Sequence, residues 1–122
     1  MIPNCSRFNG IIEWVMLMEI KQIYQIYELL DSINSYQYRV IICRNIKKFR
    51  LELYNKYKTF HKGVEGTNNP YSTDNVSAYL GISKVHYKRI ENDNDKCKYV
   101  SIDNLIKLSH IFNKKLDDFL KD

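Results

Sequence analysis

The chain of 122 residues contains little alanine, glycine or proline, and it has no recognisable cysteine motif. Alanine occurs once, at Ala78, beside four glycines and two prolines. Helices in such a chain must be stabilised by packing, because intrinsic propensity contributes little. The three cysteines, Cys5, Cys43 and Cys97, are odd in number and lack a C-x-x-C pair. This pattern argues against a disulfide framework or a zinc ribbon and favours free thiols in a reducing cytoplasm.

Signals for membrane insertion and for catalysis are also missing. The apolar stretch 11–20 contains Glu13 and Glu19, is too short to span a bilayer and precedes no cleavage site. The three histidines lie in different predicted elements without metal-ligand spacing. There is no glycine-rich phosphate loop and no nucleophile-elbow serine. We therefore expect a cytoplasmic protein that is not an enzyme and has no metal, cofactor or membrane partner.

Charge is distributed unevenly along the chain, whose formal net charge is +5. Residues 1–38 hold two basic and four acidic residues, whereas residues 39–122 hold 17 basic and 10 acidic residues. A basic excess of this kind directs the search for a polyanion-binding surface to the second part of the chain.

The first part, residues 1–38, is predicted to contain a loose leader at 1–10 and an amphipathic helix at 11–35. Its apolar residues recur at spacings of four and three. This apolar stripe consists of Met16, Ile20, Ile23, Tyr27 and Leu30. The stripe is compatible with packing on the rest of the same chain or with dimerisation.

The second part, residues 39–122, is predicted to be one helical domain. Residues 36–39 interrupt the pattern, and a long helix follows from Val40 to about residue 62. Its apolar positions are Ile42, Ile46, Phe49, Leu53, Tyr57 and Phe60. Its other faces are predicted to carry the basic residues Arg44, Lys47, Lys48, Arg50, Lys56, Lys58 and Lys62. These form either a surface for a DNA backbone or an ordinary solvated helix face. Two glycines, two asparagines and a proline then predict a loop at 63–72.

Short helical units are predicted after this loop, most of them preceded by a residue that can cap a helix. The first is a helix at Thr73–Leu80 that ends at Gly81, and the second is a helix at Lys84–Asn92 that Ser83 caps. A third helix is capped by Ser101 and ends near Asn113 in a left-handed conformation. The last is a short turn at Leu116–Leu120, in which Leu116, Phe119 and Leu120 are expected to point inward. A polar, turn-like segment at 93–99 separates the second and third of these. The fold class expected from this order is all-α.

The stretch 72–93 carries the functional signal. Its apolar residues Val76, Leu80, Ile82, Tyr87 and Ile90 are spaced to pack two short helices together across a turn at Gly81. This packing leaves an outer face on the second helix that is made of Lys84, Val85, Lys88 and Arg89. Three of these four residues are basic. A helix with such a face fits the major groove of B-DNA, about 12 Å wide.

The same stretch resembles the phage-repressor/Cro-like (XRE) helix-turn-helix family. The matching residues are Val76, Ser77, the turn Leu80-Gly81-Ile82-Ser83 and the ending Ile90-Glu91-Asn92. The resemblance extends over about residues 42–120 and implies a five-helix DNA-binding domain. In this chain the first helix of that domain is extended, an insertion lies at about 51–72, and an additional helix precedes the domain. Thr73 stands where the family usually has glutamine, Tyr87 where it has a buried aliphatic residue, and Asp93 where it has glycine. Glu91 is expected to support the fold beside Arg89 or a backbone amide.

The resemblance also implies roles for individual residues. Lys84, Val85 and Arg89 would face base edges. Phosphate-binding or supporting roles fall on Thr73, Ser83, His86, Lys88, Asn92, Lys47 and Lys48. The function implied is sequence-specific binding of double-stranded DNA by a homodimeric transcriptional regulator, with repression as the expected mode. Two alternatives remain: an antitoxin that also binds a toxin, and a helix-turn-helix fold that serves only as a protein-interaction module.

Overall fold

The computed structural model describes the backbone of residues 6–92 and 99–122 and the side chains of residues 13–92 and 99–122. The regular secondary structure of these residues is entirely helical, without a strand, which confirms the predicted all-α class. The α-helices are α1 (Ser6–Ser32), α2 (Ser35–Phe60), α3 (Thr73–Leu80), α4 (Lys84–Glu91) and α5 (Ile102–Ile111), with 3₁₀ helices at Gly66–Asn68 and Leu116–Leu120. No helix in the described part of the chain is long and apolar enough to cross a bilayer. The chain divides into two compact units, Met1–Asn34 and Ser35–Asp122.

The first two helices differ from their predicted limits. The interruption expected at 36–39 lies inside α2, and only residues 33–34 separate α1 from α2. The expected interruption was wrong because residues 35–39 lack a regular apolar period but contain neither glycine nor proline, so nothing in them ends a helix. In the first unit, every described side chain from residue 13 to residue 32 is exposed.

The second unit has one hydrophobic core to which all of its α-helices contribute. Its buried apolar members are Cys43, Ile46, Phe49, Val76, Leu80, Tyr87, Ile90, Leu105, Leu108, Phe112 and Phe119. The buried residues of α2 end at Arg50. Further along α2, Tyr57 is half-buried against the ring of His61, with centroids 4.0 Å apart, and Phe60 is 73% exposed. The predicted apolar period of α2 is therefore core-forming only in its first part, and its last member, Phe60, lies outside the core.

The C-terminal residues close the core against α2. The ring of Phe119 meets that of Phe49 edge-on, with centroids 5.2 Å apart. The buried Asn45 amide donates hydrogen bonds of 2.8 Å to the carbonyls of Phe119 and Lys121. Leu116 and Leu120 are exposed, which corrects their predicted inward orientation. A 3₁₀ helix of five residues has a narrow inward face, and Phe119 fills it.

Candidate nucleic-acid interface

Helices α3 and α4 are joined by a three-residue turn whose conformation is defined by backbone hydrogen bonds. Gly81 adopts a left-handed conformation (φ 69°), as its position at the end of α3 predicts. Its N–H and that of Ile82 donate to the carbonyls of Ala78 and Ser77, each at 3.1 Å, and so satisfy the last carbonyls of α3. Ser83 then caps α4, because its hydroxyl accepts a 3.0 Å hydrogen bond from the His86 N–H. The turn therefore holds α4 in a defined orientation relative to α3.

The inner faces of both helices are buried, as the sequence predicts. Val76 and Leu80 of α3 and Tyr87 and Ile90 of α4 are at most 3% exposed, and Ile82 of the turn is half-buried against them. With these residues in the core, the opposite face of α4 is left to solvent. Its exposed residues are Lys84, Val85, His86, Lys88 and Arg89.

The predicted base-reading residues thus lie together on α4, and Lys84 differs from the other two because it has an ion-pair partner. Val85 is 65% exposed, and Arg89 has no ion-pair partner among the described residues. The Lys84 ammonium lies 2.6 Å from the Asp74 carboxylate of α3, with about half of its side chain exposed. A partly exposed pair of this kind contributes little to stability. Lys84 can therefore leave Asp74 at a small cost when a stronger acceptor is present.

A buried ion pair fixes the last turn of α4 to α2. The Arg50 guanidinium donates from Nε and Nη2 to the two carboxylate oxygens of Glu91, at 2.7 and 2.8 Å. Its Nη1 donates to the carbonyl of Tyr71 at 3.2 Å, just before α3 begins. The two charged side chains are 9% and 8% exposed. This corrects both predictions: Arg50 does not belong to the solvated face of α2, and the partner of Glu91 is neither Arg89 nor a backbone amide.

The burial of Arg50, although not its partner, could have been predicted from register alone. Arg50 follows Ile46 by four residues and therefore belongs to the apolar face of α2, which sequence reasoning overlooked in favour of its charge. Burial by itself lowers the pKa of Arg50, but the hydrogen bond and charge of Glu91 outweigh burial and raise the pKa above its usual value. The guanidinium is therefore permanently charged, and Glu91 is its counter-charge in the core.

Tyr87 lies in the core beside this pair. Its side chain is fully buried, and its hydroxyl makes no hydrogen bond of standard geometry within the described residues. Burial raises the pKa of Tyr87 well above its ordinary value, and the neighbouring Glu91 carboxylate raises it further. The phenol is consequently held neutral.

The segment between α2 and α3 is tied to both helices by two asparagines that sequence reasoning did not single out. The buried amide of Asn69 donates to the carbonyl of Tyr54 at 3.0 Å, and its oxygen accepts from the Tyr71 N–H at 2.9 Å. Asn75 of α3 donates to the carbonyls of Thr67 and Asn69, both at 2.8 Å. The insertion at about 51–72 thus has a defined conformation at the start of α3.

The remaining predicted residues lie in several places. Thr73 is half-buried in the first turn of α3, and Ser83 and Asn92 are exposed at the two ends of α4. Lys47 is half-buried on α2. Lys48 lines a shallow groove of about 240 Å³ with Asn45, Phe49, Lys114, Asp118, Lys121 and Asp122. Lys48 is therefore part of the surface formed by α2 and the C-terminal residues.

Asp93, Cys97 and the predicted turn at 93–99 fall outside the described residues, apart from Tyr99. In the part of the chain that is described, no cluster of histidine, cysteine or acidic side chains is suited to hold a metal ion. Comparison of the chain with protein-family models, with characterised proteins and with solved structures finds no match. Any assignment of function must therefore be argued from the site.

Proposed function

We propose that this chain is a sequence-specific double-stranded DNA-binding protein of the helix-turn-helix type, similar to phage repressors, that regulates transcription. The observation that carries the proposal is α4: a short helix with a basic, exposed outer face, held by a tight turn, a buried inner face and a buried ion pair. Repression is the proposed mode, because a small domain bound at a promoter excludes other proteins from it.

The outer face of α4 supplies the chemistry for reading bases. A helix fits into the major groove, where guanine presents two acceptors, N7 and O6, to a donor. Arg89 can donate to both with its planar guanidinium, and Lys84 can donate once it leaves Asp74. Val85 offers an apolar contact for a thymine methyl group.

Groups around this face are suited to binding phosphates. The N-terminus of α3, with the Thr73 hydroxyl in its first turn, has the positive end of a helix dipole. The Ser83 hydroxyl and the Asn92 amide flank α4, and His86 and Lys88 lie on its exposed surface. Phosphate contacts of this kind fix the register of the protein on DNA without reading its sequence.

The proposal includes two copies acting together. A helix of eight residues contacts only a few base pairs, which gives too little discrimination against the competing sites of a genome. Helix-turn-helix proteins solve this with two half-sites about 34 Å apart, read by two symmetry-related helices.

Selection from a pool of randomised duplex DNA at about 150 mM salt tests the proposal, because specific binding must survive screening of the phosphate charge. We expect enrichment of an inverted repeat whose half-sites lie one or two helical turns apart. Weak, salt-sensitive binding without an enriched sequence would contradict the proposal.

A protein-interaction function is the second candidate, and the exposed apolar surface of α1 favours it. Replacement of Lys84 and Arg89 by alanine separates the two functions. A DNA reader loses about 1–3 kcal/mol of binding free energy for each base-reading side chain. A module that binds only protein keeps its affinity for its partner after either replacement.

A further inference from the structure

The most exposed apolar surface of the described chain lies on α1. Of its 27 residues, 12 large hydrophobic side chains are each between 44% and 65% exposed. They include all five members of the apolar stripe defined above: Met16, Ile20, Ile23, Tyr27 and Leu30. Soluble monomers seldom expose so large a contiguous apolar patch.

Covering this surface would stabilise α1. Most helical stability in proteins comes from packing of an apolar face. Helix α1 contains no alanine, and it includes several β-branched and aromatic residues of modest helix propensity. A partner on the stripe supplies the stabilisation that the helix lacks.

The area available is appropriate for a stable protein contact. The five stripe residues and the flanking Ile26 and Ile33 are the side chains that one partner can cover. If each buries on the order of 80 Å², one helix contributes about 560 Å² and two helices about 1,100 Å² in total. A stable interface buries at least about 1,000 Å² in total. At 27 residues, α1 is also about 40 Å long, which suits side-by-side packing of two helices.

A lipid surface does not fit this helix. Interfacial helices have lysine and arginine on their polar face. Among residues 13–32 the charged residues are Glu13, Glu19, Glu28 and Asp31 against Lys21 alone. Anionic membranes would repel this acidic excess, so a protein partner is indicated.

We infer that the partner is a second copy of this chain, and that the stripes of two α1 helices pack against each other. This inference rests on the proposed function, because symmetric half-sites require two identical subunits. It also adds to it, since it assigns self-association to α1 and DNA reading to the second unit. The stripe has the four-and-three spacing of paired helices. The heptad pattern is short, so flanking residues such as Ile26 and Ile33 extend the contact.

The test is the mass of the full chain in solution without DNA, measured by sedimentation equilibrium. We expect twice the monomer mass of 14.6 kDa. The double variant Ile23→Lys with Leu30→Lys places charges in the stripe, and it should weaken self-association about 100-fold or more.

The chain offers a closely matched control. Met18→Lys with Leu29→Lys adds the same charges on the opposite side of α1, about 140–160° from the centre of the stripe. The replaced side chains are comparably exposed, at 44% and 61% against 50% and 55% for Ile23 and Leu30. Lysine has a helix propensity similar to or higher than that of the residues it replaces, so neither variant weakens α1 intrinsically. Circular dichroism should show loss of helix only in the stripe variant, because α1 there loses its partner. The control should remain a dimer.

A monomeric wild-type chain overturns the inference, and so does equal dissociation of the two double variants. The proposed function is judged separately by DNA selection. If the chain is a monomer and still selects a specific sequence, only the role of α1 in self-association is refuted. A dimer that selects no sequence refutes DNA reading and leaves self-association through α1 standing.

Discussion

Arg50 of α2 and Glu91, the last residue of α4, form a buried ion pair with two parallel hydrogen bonds of 2.7 and 2.8 Å. The two residues are 41 positions apart in the chain, and the pair joins the first helix of the second unit to the end of the proposed DNA-reading helix. Because Arg50 also donates to the carbonyl of Tyr71, the same guanidinium holds the entry to α3. One side chain of α2 thus connects to the end of α4 and to the residue that precedes the cap of α3.

Glu91→Gln is expected to destabilise the second unit by about 3–5 kcal/mol, because it leaves the Arg50 charge buried without a counter-charge. Urea unfolding followed by circular dichroism measures the loss. The control is Arg50→Met with Glu91→Leu, which removes both charges and should recover most of the stability. If the double variant is as unstable as Glu91→Gln, the ion pair stabilises the fold by more than is needed to offset the burial of its own two charges.

Tyr87 is expected to make the protein sensitive to alkali. Its pKa is raised in the folded state by burial and by Glu91, whereas in the unfolded chain it is close to the usual value of about 10. Above that pH the unfolded chain loses this proton and the folded chain keeps it, so the free energy of unfolding falls as pH rises. Urea midpoints across this range should fall more steeply for the wild type than for Tyr87→Phe. Parallel curves for the two proteins would refute the assignment.

Gly81→Ala is expected to cost about 1 kcal/mol through its backbone conformation alone. The residue has φ 69°, and a Cβ at this position would meet no atom within 4 Å, so there is no steric clash to add. A left-handed conformation costs an ordinary L-residue about 1–2 kcal/mol. Gly81→Asn should cost less, because asparagine tolerates this conformation. Thermal unfolding of the two variants provides the comparison, and equal losses would count against a conformational cause.

Ser83→Asp separates helix capping from DNA binding. Aspartate caps a helix as well as serine does, so stability should be unchanged, whereas Ser83→Ala should lose about 1 kcal/mol. The new carboxylate would lie next to DNA phosphates and should weaken DNA binding roughly tenfold. Ser101→Asp is the matched control, since Ser101 caps α5 in the same way, accepting from the Asn104 N–H at 3.1 Å. Similar DNA affinities for the two aspartate variants would place the DNA elsewhere.

The parts of the fold that follow local rules were predicted correctly from the sequence. Gly81, Ser83 and Ser101 mark their helix ends through φ preference and capping, and Asn113 has the expected left-handed conformation (φ 52°). These features depend only on residues that are close in the chain, so they can be predicted from a sequence pattern.

The features that were missed depend on distant contacts. Arg50 looked like a surface residue until Glu91, 41 residues later, supplied its counter-charge. Asn69 looked like a turn residue, yet its amide is buried because Tyr54 and Val64 present carbonyls to it. The salt bridge of Lys84 to Asp74 likewise requires α3 and α4 to be placed together first. Composition and periodicity do not reveal which distant residues form such pairs.

The most direct test of the central claim is to repeat the DNA selection with Arg89→Ala, using Lys107→Ala as the control for loss of a basic side chain on α5. Loss of one arginine-guanine contact should remove the preference at one position of each half-site, at about 1–3 kcal/mol, and leave the others intact. Lys107→Ala should select the wild-type sequence. If Arg89→Ala also selects the unchanged wild-type sequence, the claim that the outer face of α4 reads the DNA through Arg89 is contradicted.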